Sequence, residues 1–280
     1  MNKKETLKRL QELNIRPKKS LGQNFLINPL ISEQIISIIK ELSPISLIEI
    51  GPGLGSLTHR LSQLNIPLTL IELDSKIADF WKQKKFSIIE NDALQMNSSQ
   101  LPESATLVGN LPYQISSRLV IQASVQWPVQ QMCLMVQKEV ADRIVSAHRR
   151  KSYGFLSVVA QYSWDIEKKL EVKVSDFYPP PQVEGNVLTF KRKNILPVSF
   201  LSFIKACFQQ KRKVLLKKTE NIIQTVPPQI TPIKHLRQSF DKLHISPSAR
   251  AEELSVDQFV KLYKLCIAEG SHVDKNYISK

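Results

Sequence analysis

Asparagine, leucine, proline and tyrosine follow one another at 110–113, directly after the strand-forming run Ala-Thr-Leu-Val-Gly at 105–109. The combination suits an aromatic amine. An exocyclic amine on a purine is a poor nucleophile because its lone pair is delocalised into the ring. The amide oxygen of Asn110 and the backbone carbonyl of Leu111 can accept its two hydrogens and localise that pair. Pro112 fixes the direction of the carbonyl, and Tyr113 can stack on the base. No charged base is required, since the nitrogen's proton becomes acidic as a methyl group arrives, and in-line positioning can remove as much as ~7 to 11 kcal/mol from a barrier. The same residues also read as a buried strand running into a proline-set turn, with Tyr113 closing the core.

Three earlier stretches carry complementary chemistry. Gly51, Gly53 and Gly55 in EIGPGLGSLT let the backbone turn tightly between a strand and a helix and approach a ligand closely. Ser56 stands where a dinucleotide fingerprint needs its third glycine, which counts against a nicotinamide cofactor. Glu72, in IELD about twenty residues later, can accept hydrogen bonds from both ribose hydroxyls of a nucleoside. Asp92 in ENDAL can meet the exocyclic amine of an adenine, or simply cap the turn that follows. Together these make an adenosyl site whose neighbour is the Asn110 pocket. The histidines form no ligand pair, and Cys133, Cys207 and Cys266 lack metal spacing, so no metal is expected.

Such residues need a scaffold of strand ends. From Ser46 onward, β-prone runs at 46–50, 67–73, 86–91, 105–110 and 131–137 alternate with helical patterns. Continuous apolar strands linked by helices predict an α/β fold with a mostly parallel, Rossmann-like sheet covered on both faces. A proline run, FYPPPQV, and a last strand, NVLTF, follow; beyond KRKN the chain reads as helix, with Ser255 and Gln258 forming a capping box. The expected division is a basic N-terminal tail at 1–19, a catalytic α/β domain at 20–192 and a small all-helical domain at 193–280.

The chain has 280 residues, a 42% hydrophobic content and a formal charge of +14. Residues 1–19 hold 7 basic and 2 acidic side chains, 20–190 hold 15 and 16, and 191–280 hold 17 and 7. A near-neutral body between basic ends implies a polyanion partner, and nucleic acid is favoured because no strongly amphipathic anchoring helix is evident. No apolar run approaches membrane-spanning length, and the N-terminus resembles neither a secretory signal nor a transit peptide. Widely spaced, apolar-flanked cysteines fit a reducing compartment, so a cytoplasmic location is expected.

Taken together, Asn-Leu-Pro-Tyr, GQNFL (22–26), EIGPGLGSLT, IELD, NDA, QKEVADRI and FYPPPQVEGNV resemble the small-subunit ribosomal RNA adenine dimethyltransferase family over nearly the whole chain. The resemblance implies a class I methyltransferase fold, S-adenosylmethionine as donor, and two adjacent adenosines in a hairpin loop near the 3′ end of 16S rRNA, within the immature small subunit. It implies a monomer. It makes Asn24 and Leu26 part of a lid over the donor, Gly51 the contact from the glycine turn, Glu72 the ribose acceptor and Asp92 the partner of the donor adenine. Asn110 then lies between donor and target amine, with Leu111, Pro112 and Tyr113 beside it. Phe177 would be a second aromatic near the target base, or else a hydrophobic plug beside the proline loop. Gln114 stands where the family has Asn, and Glu184-Gly185 where it has Asp-Ser. The C-terminal FQQKRKVLLKKT and RAEELS also resemble the family's helical domain. The competing readings are a resistance-type 23S rRNA methyltransferase and a non-catalytic RNA-binding assembly factor. RNA contacts are expected from Lys18, Lys19, Lys211, Arg212, Lys213, Lys217 and Lys218.

Overall fold

Apolar runs too short for helices and flanked by turn residues become strands here, and longer amphipathic runs become the helices between them. In chain order the elements are α1 (Lys3–Glu12), β1 (Phe25–Leu26), α2 (Pro29–Glu41), β2 (Leu47–Ile50), α3 (Thr58–Leu61), β3 (Leu68–Glu72), α4 (Ser75–Gln83), β4 (Ser87–Glu90), β5 (Thr106–Asn110) and α5 (Ser116–Val125). They continue with β6 (Gln131–Gln137), α6 (Lys138–Ile144), α7 (Phe155–Ser163), β7 (Trp164–Val172), β8 (Phe177–Tyr178), β9 (Gly185–Arg192), α8 (Val198–Phe208), α9 (Leu236–Lys242) and α10 (Val256–Ala268). This computed structural model describes residues 1–112, 114–209, 213–216 and 236–268.

Seven strands form one sheet in the order β4-β3-β2-β5-β6-β9-β7. The five from β4 to β6 are parallel, and β9 runs antiparallel to both its neighbours. The chain winds outward from β2 to β3 and β4, then returns to the other side of β2 as β5. Such a reversal opens a crevice beyond the carboxyl ends of the strands. The central strands β2, β5 and β6 are buried along nearly their whole length, as strands covered on both faces are, whereas β4 and β7 at the two edges carry exposed residues. Two helix starts are fixed locally: Asn28 accepts from Leu30 N at 3.0 Å ahead of Pro29, and Asp74 accepts from Lys76 N at 3.1 Å.

The far end of the sheet is stapled by Arg192. Its guanidinium donates to the carbonyls of Ala123, Trp127 and Val129 at 2.8 to 3.1 Å and lies 3.7 Å from the Trp164 ring centre. The Ala123 carbonyl belongs to the last turn of α5, where helix acceptors are left open, and those of Trp127 and Val129 lie in the loop that follows, so one side chain satisfies all three.

Two compact units emerge: Met1–Val145 with Ser163–Ile195, and Ser146–Tyr162 with the described residues from Leu196 onward. The second unit differs from the expected domain limits by taking in 146–162. The reason is packing: Tyr153 is buried and donates to Leu254 O at 2.8 Å, and Tyr162 meets Phe200 edge-on at 4.9 Å. Phe200 and Phe203 close on Tyr263, and α10 begins at the expected box, with Ser255 N bonded to Gln258 Oε1 and Gln258 N to Ser255 Oγ.

The first nineteen residues are also not a tail. Asn2 and Glu5 make a capping box at the start of α1, and Leu10 and Ile15 are buried in a cluster with Phe25, Leu54, Leu70, Ile77 and Trp81. Charge concealed the helix from the sequence reading. Lys18, expected on RNA, is bonded to Asp74 at 2.8 Å. Lys213 is exposed, whereas Lys211, Arg212, Lys217 and Lys218 lie outside the described residues.

Candidate functional site

At the crevice between β2 and β5 a cleft of about 280 Å³ is lined by Asn24, Leu26, Gly51, Glu72, Asp92, Asn110 and Pro112, among others. Seven sequence-expected residues, dispersed over 89 positions, thus converge.

Gly51 and Gly53 have φ of +66° and +51°, a region that costs other residues about 1 to 2 kcal/mol. A Cβ on Gly51 would meet nothing within 4 Å, so its backbone borders open cleft. Gly55 is glycine for another reason: a Cβ there would come within 2.7 Å of Trp81, whose indole N–H donates to Gly53 O at 2.9 Å. The ring shapes the turn from below. Gly109, inside β5, would press a Cβ to 2.7 Å from the Ile50 carbonyl, so β2 and β5 approach closely just beneath the site.

Glu72 ends β3 with its carboxylate turned back on the backbone. Oε1 accepts from Leu73 N and Asp74 N, both at 2.9 Å, and Oε2 accepts from Gly53 N at 3.4 Å. Burial raises its pKa, while those amides oppose the rise. One acidic side chain therefore ties the glycine turn to β3 and still borders the cleft. Asp92 caps the turn that follows, its Oδ1 accepting from Leu94 N at 2.9 Å, and it also lines the cleft.

Asn110 donates through Nδ2 to the Asn24 carbonyl at 3.1 Å, and Asn24 donates through Nδ2 to Gly22 O at 3.2 Å. With its NH2 engaged, the acceptor Asn110 can offer is Oδ1. Leu111 is 1% exposed, its N–H bonds Met135 O, and it does not line the cleft, although its neighbours Asn110 and Pro112 do. Tyr113 lies outside the described residues. Phe177 is a correction: it is 4% exposed, packs in a core cluster with Leu26, Ile35 and Val187, and does not line the cleft. Pairing of β8 with β1 sets it opposite Leu26, with which it shares the core cluster.

Glu184 and Gly185 explain themselves. Glu184 bonds Lys138 Nζ through Oε2 at 2.7 Å and Lys138 N through its carbonyl at 3.0 Å, and a Cβ on Gly185 would make only ordinary contacts. Neither lines the cleft, whereas Gln114 does.

Two groups escaped the sequence reading. Glu49, in the middle of Leu-Ile-Glu-Ile, is 2% exposed and lines the cleft, and its Oε2 has no hydrogen-bond partner. Burial pushes its carboxyl up to about 8; the Thr58 hydroxyl opposes this without closing a standard hydrogen bond, and Glu72 adds to it. A carboxyl in a strand buried on both faces was the available signal. The second group is the N-terminal strap. Met1 lines the cleft, Arg9 Nη1 donates to Leu54 O at 2.6 Å, and Gln23 Nε2 joins Lys18 on Asp74 Oδ2 at 3.2 Å.

Comparison with known proteins bears on this geometry. The model of the ribosomal RNA adenine dimethylase family matches residues 14–268. A ribosomal RNA small subunit methyltransferase A of Bdellovibrio bacteriovorus is 43% identical over 93% of this chain and 97% of its own length. One from a Sulfurihydrogenibium species is 33% identical over 89% and 96%. Among solved structures, a dimethyladenosine transferase from Plasmodium falciparum superposes with a TM-score of 0.71 at 25% identity, covering 85% of this chain and 95% of that one. A 23S rRNA methyltransferase, ErmE, shares the fold with a TM-score of 0.62 at 20% identity, over 87% and 99%.

Proposed function

The chain belongs to the ribosomal RNA adenine dimethylase family, and we propose the residue roles by which it dimethylates the exocyclic amines of two adjacent adenosines near the 3′ end of 16S rRNA. The observation that carries the proposal is the convergence of Gly51, Glu72, Asp92 and Asn110 on one cleft at the strand reversal.

The cleft fits the donor, S-adenosylmethionine, which when bound supplies an electrophilic methyl on a sulfonium. Glu72 meets hydroxyls at one end, and Asp92 keeps an oxygen for an adenine amine. Glu49 offers an unpartnered buried oxygen to a cationic group. Gly51 leaves the backbone open to close approach. Asn24 and Leu26, with the strap that holds them, exclude water from above.

On the acceptor side, Asn110 Oδ1 and the Leu111 carbonyl take the hydrogens of the target amine and aim its lone pair, and Tyr113 stacks on the base. The target adenosines must leave their stack to reach this depth. Because each adenosine receives two methyl groups, the pocket must admit again an amine that already bears one methyl. The enzyme acts as a monomer on the immature subunit in the cytoplasm.

Incubation with labelled donor and small subunits lacking the modification, followed by nucleoside analysis, tests the reading. Dimethyladenosine in 16S rRNA is expected. Methylation of 23S rRNA instead, or monomethyladenosine alone at long times, overturns it.

A further inference from the structure

Between α6 and α7 the chain makes a turn, His148-Arg149-Arg150-Lys151, whose four side chains are all exposed. No salt bridge engages Arg149, Arg150 or Lys151 among the described residues, in contrast to Lys18, held by Asp74, and Lys193, held by Asp165. We propose that this turn is a contact for the phosphate backbone of the RNA substrate, an inference that rests on the function proposed above and adds a surface remote in sequence from the donor-site motifs.

The turn is held in shape from beneath. Arg149 N donates to Glu252 O at 2.9 Å, Arg150 N to Ala147 O at 3.3 Å and Tyr153 N to Arg150 O at 3.0 Å. Tyr153 is 1% exposed and anchored on Leu254 O, and the His148 ring lies edge-on to it at 6.5 Å. These bonds fix the backbone of the turn while its three cations stay exposed. Glu252 and Glu253 are the carboxylates beside the turn; neither pairs with its cations, and Glu253 accepts from Arg250 N.

Charge selects the partner. The unit that carries the turn holds 17 basic and 7 acidic side chains, against 22 and 18 in the other. Two guanidiniums offer planar, paired N–H donors that match phosphate oxygens, with an ammonium alongside. No exposed aromatic or long aliphatic side chain occurs in the turn to anchor a lipid surface.

The test compares the full chain with Arg149→Ser/Arg150→Ser/Lys151→Ser, the single Arg150→Ser and the charge-keeping Arg149→Lys/Arg150→Lys. Binding to small subunits lacking the modification is followed by filter assay from 50 to 200 mM salt, with kcat, KM and donor affinity measured beside it. With about 0.7 to 0.9 counterions released per phosphate, removing three contacts should make the fall in affinity across that range about 20- to 40-fold smaller. KM for subunits should rise while kcat and donor affinity hold, the single variant should give about a third of the slope change, and the lysine pair should retain most of the slope. A triple variant with the wild-type slope and KM overturns the inference. The functional reading is scored separately, by dimethyladenosine from the wild type in the same reactions. Unchanged subunit binding with lost binding to phosphatidylserine vesicles also overturns it, and assigns the turn to membranes.

Discussion

Glu49 and Glu72 are two carboxyls in one cleft with different environments. Glu72 faces three backbone amides, so its charge has partners before any ligand arrives; Glu49 has an oxygen with none. Replacing Glu72 by Ala should therefore weaken donor binding by the ~1.5 to 3 kcal/mol of a charge-assisted hydrogen bond, leave subunit binding intact, and loosen the glycine turn. Titration calorimetry reads both affinities. Glu49 makes a pH prediction. Its carboxyl, raised to about 8, is mostly protonated in the empty cleft at neutral pH, and a cationic donor favours the ionised form. Donor affinity should rise with pH up to about 8, by at most about tenfold per unit, with proton release on binding. Glu49→Gln should abolish that pH dependence. For stability the sign is opposite: the neutral group favours the folded state fully below its ordinary value near 4.5, and this contribution is lost as pH rises through about 8.

Among the elements, β5 and its neighbours were legible because they are buried on both faces, which leaves an unbroken apolar run in the sequence. Less visible was why Gly109 sits inside β5. The Ile50 carbonyl, 2.7 Å from any Cβ there, supplies the reason. Gly109→Ala should force β2 and β5 apart at the floor of the cleft, costing about 1 to 3 kcal/mol and lowering kcat together with melting temperature. Arg192 gives a control distant from the chemistry. Arg192→Ala strands the carbonyls of Ala123, Trp127 and Val129 and removes a stacked cation, so denaturant unfolding should show a loss of about 2 to 4 kcal/mol with donor affinity unchanged. The elements that escaped the sequence did so for physical reasons. In α1 the Asn2–Glu5 box was present, but seven cations in nineteen residues dominated the pattern. Phe177 was ambiguous because a core aromatic and a base-stacking aromatic are the same residue until its neighbours are known.

At the level of the whole chain, Gly51, Glu72, Asp92 and Asn110 could be placed together from the sequence because each lies at or just after the end of a parallel strand, whereas the unit boundaries could not, because they depend on contacts distant in sequence. The path enters the second unit at Ser146, leaves it after Tyr162 and re-enters at Leu196. Ending the protein at Ile195 should accordingly do more than delete helices: Tyr153 loses its acceptor on Leu254 and Tyr162 its packing on Phe200, so the fragment should melt earlier and aggregate when followed by light scattering. The interleaving also bears on inheritance. A single crossover between two diverged genes near residue 195 would join a Ser146–Tyr162 segment from one parent to the helices of the other. Exchange of this unit between lineages therefore requires two coordinated breakpoints, or parents that already agree around Tyr153 and Leu254, and the unit should travel with its catalytic partner far more often than without it.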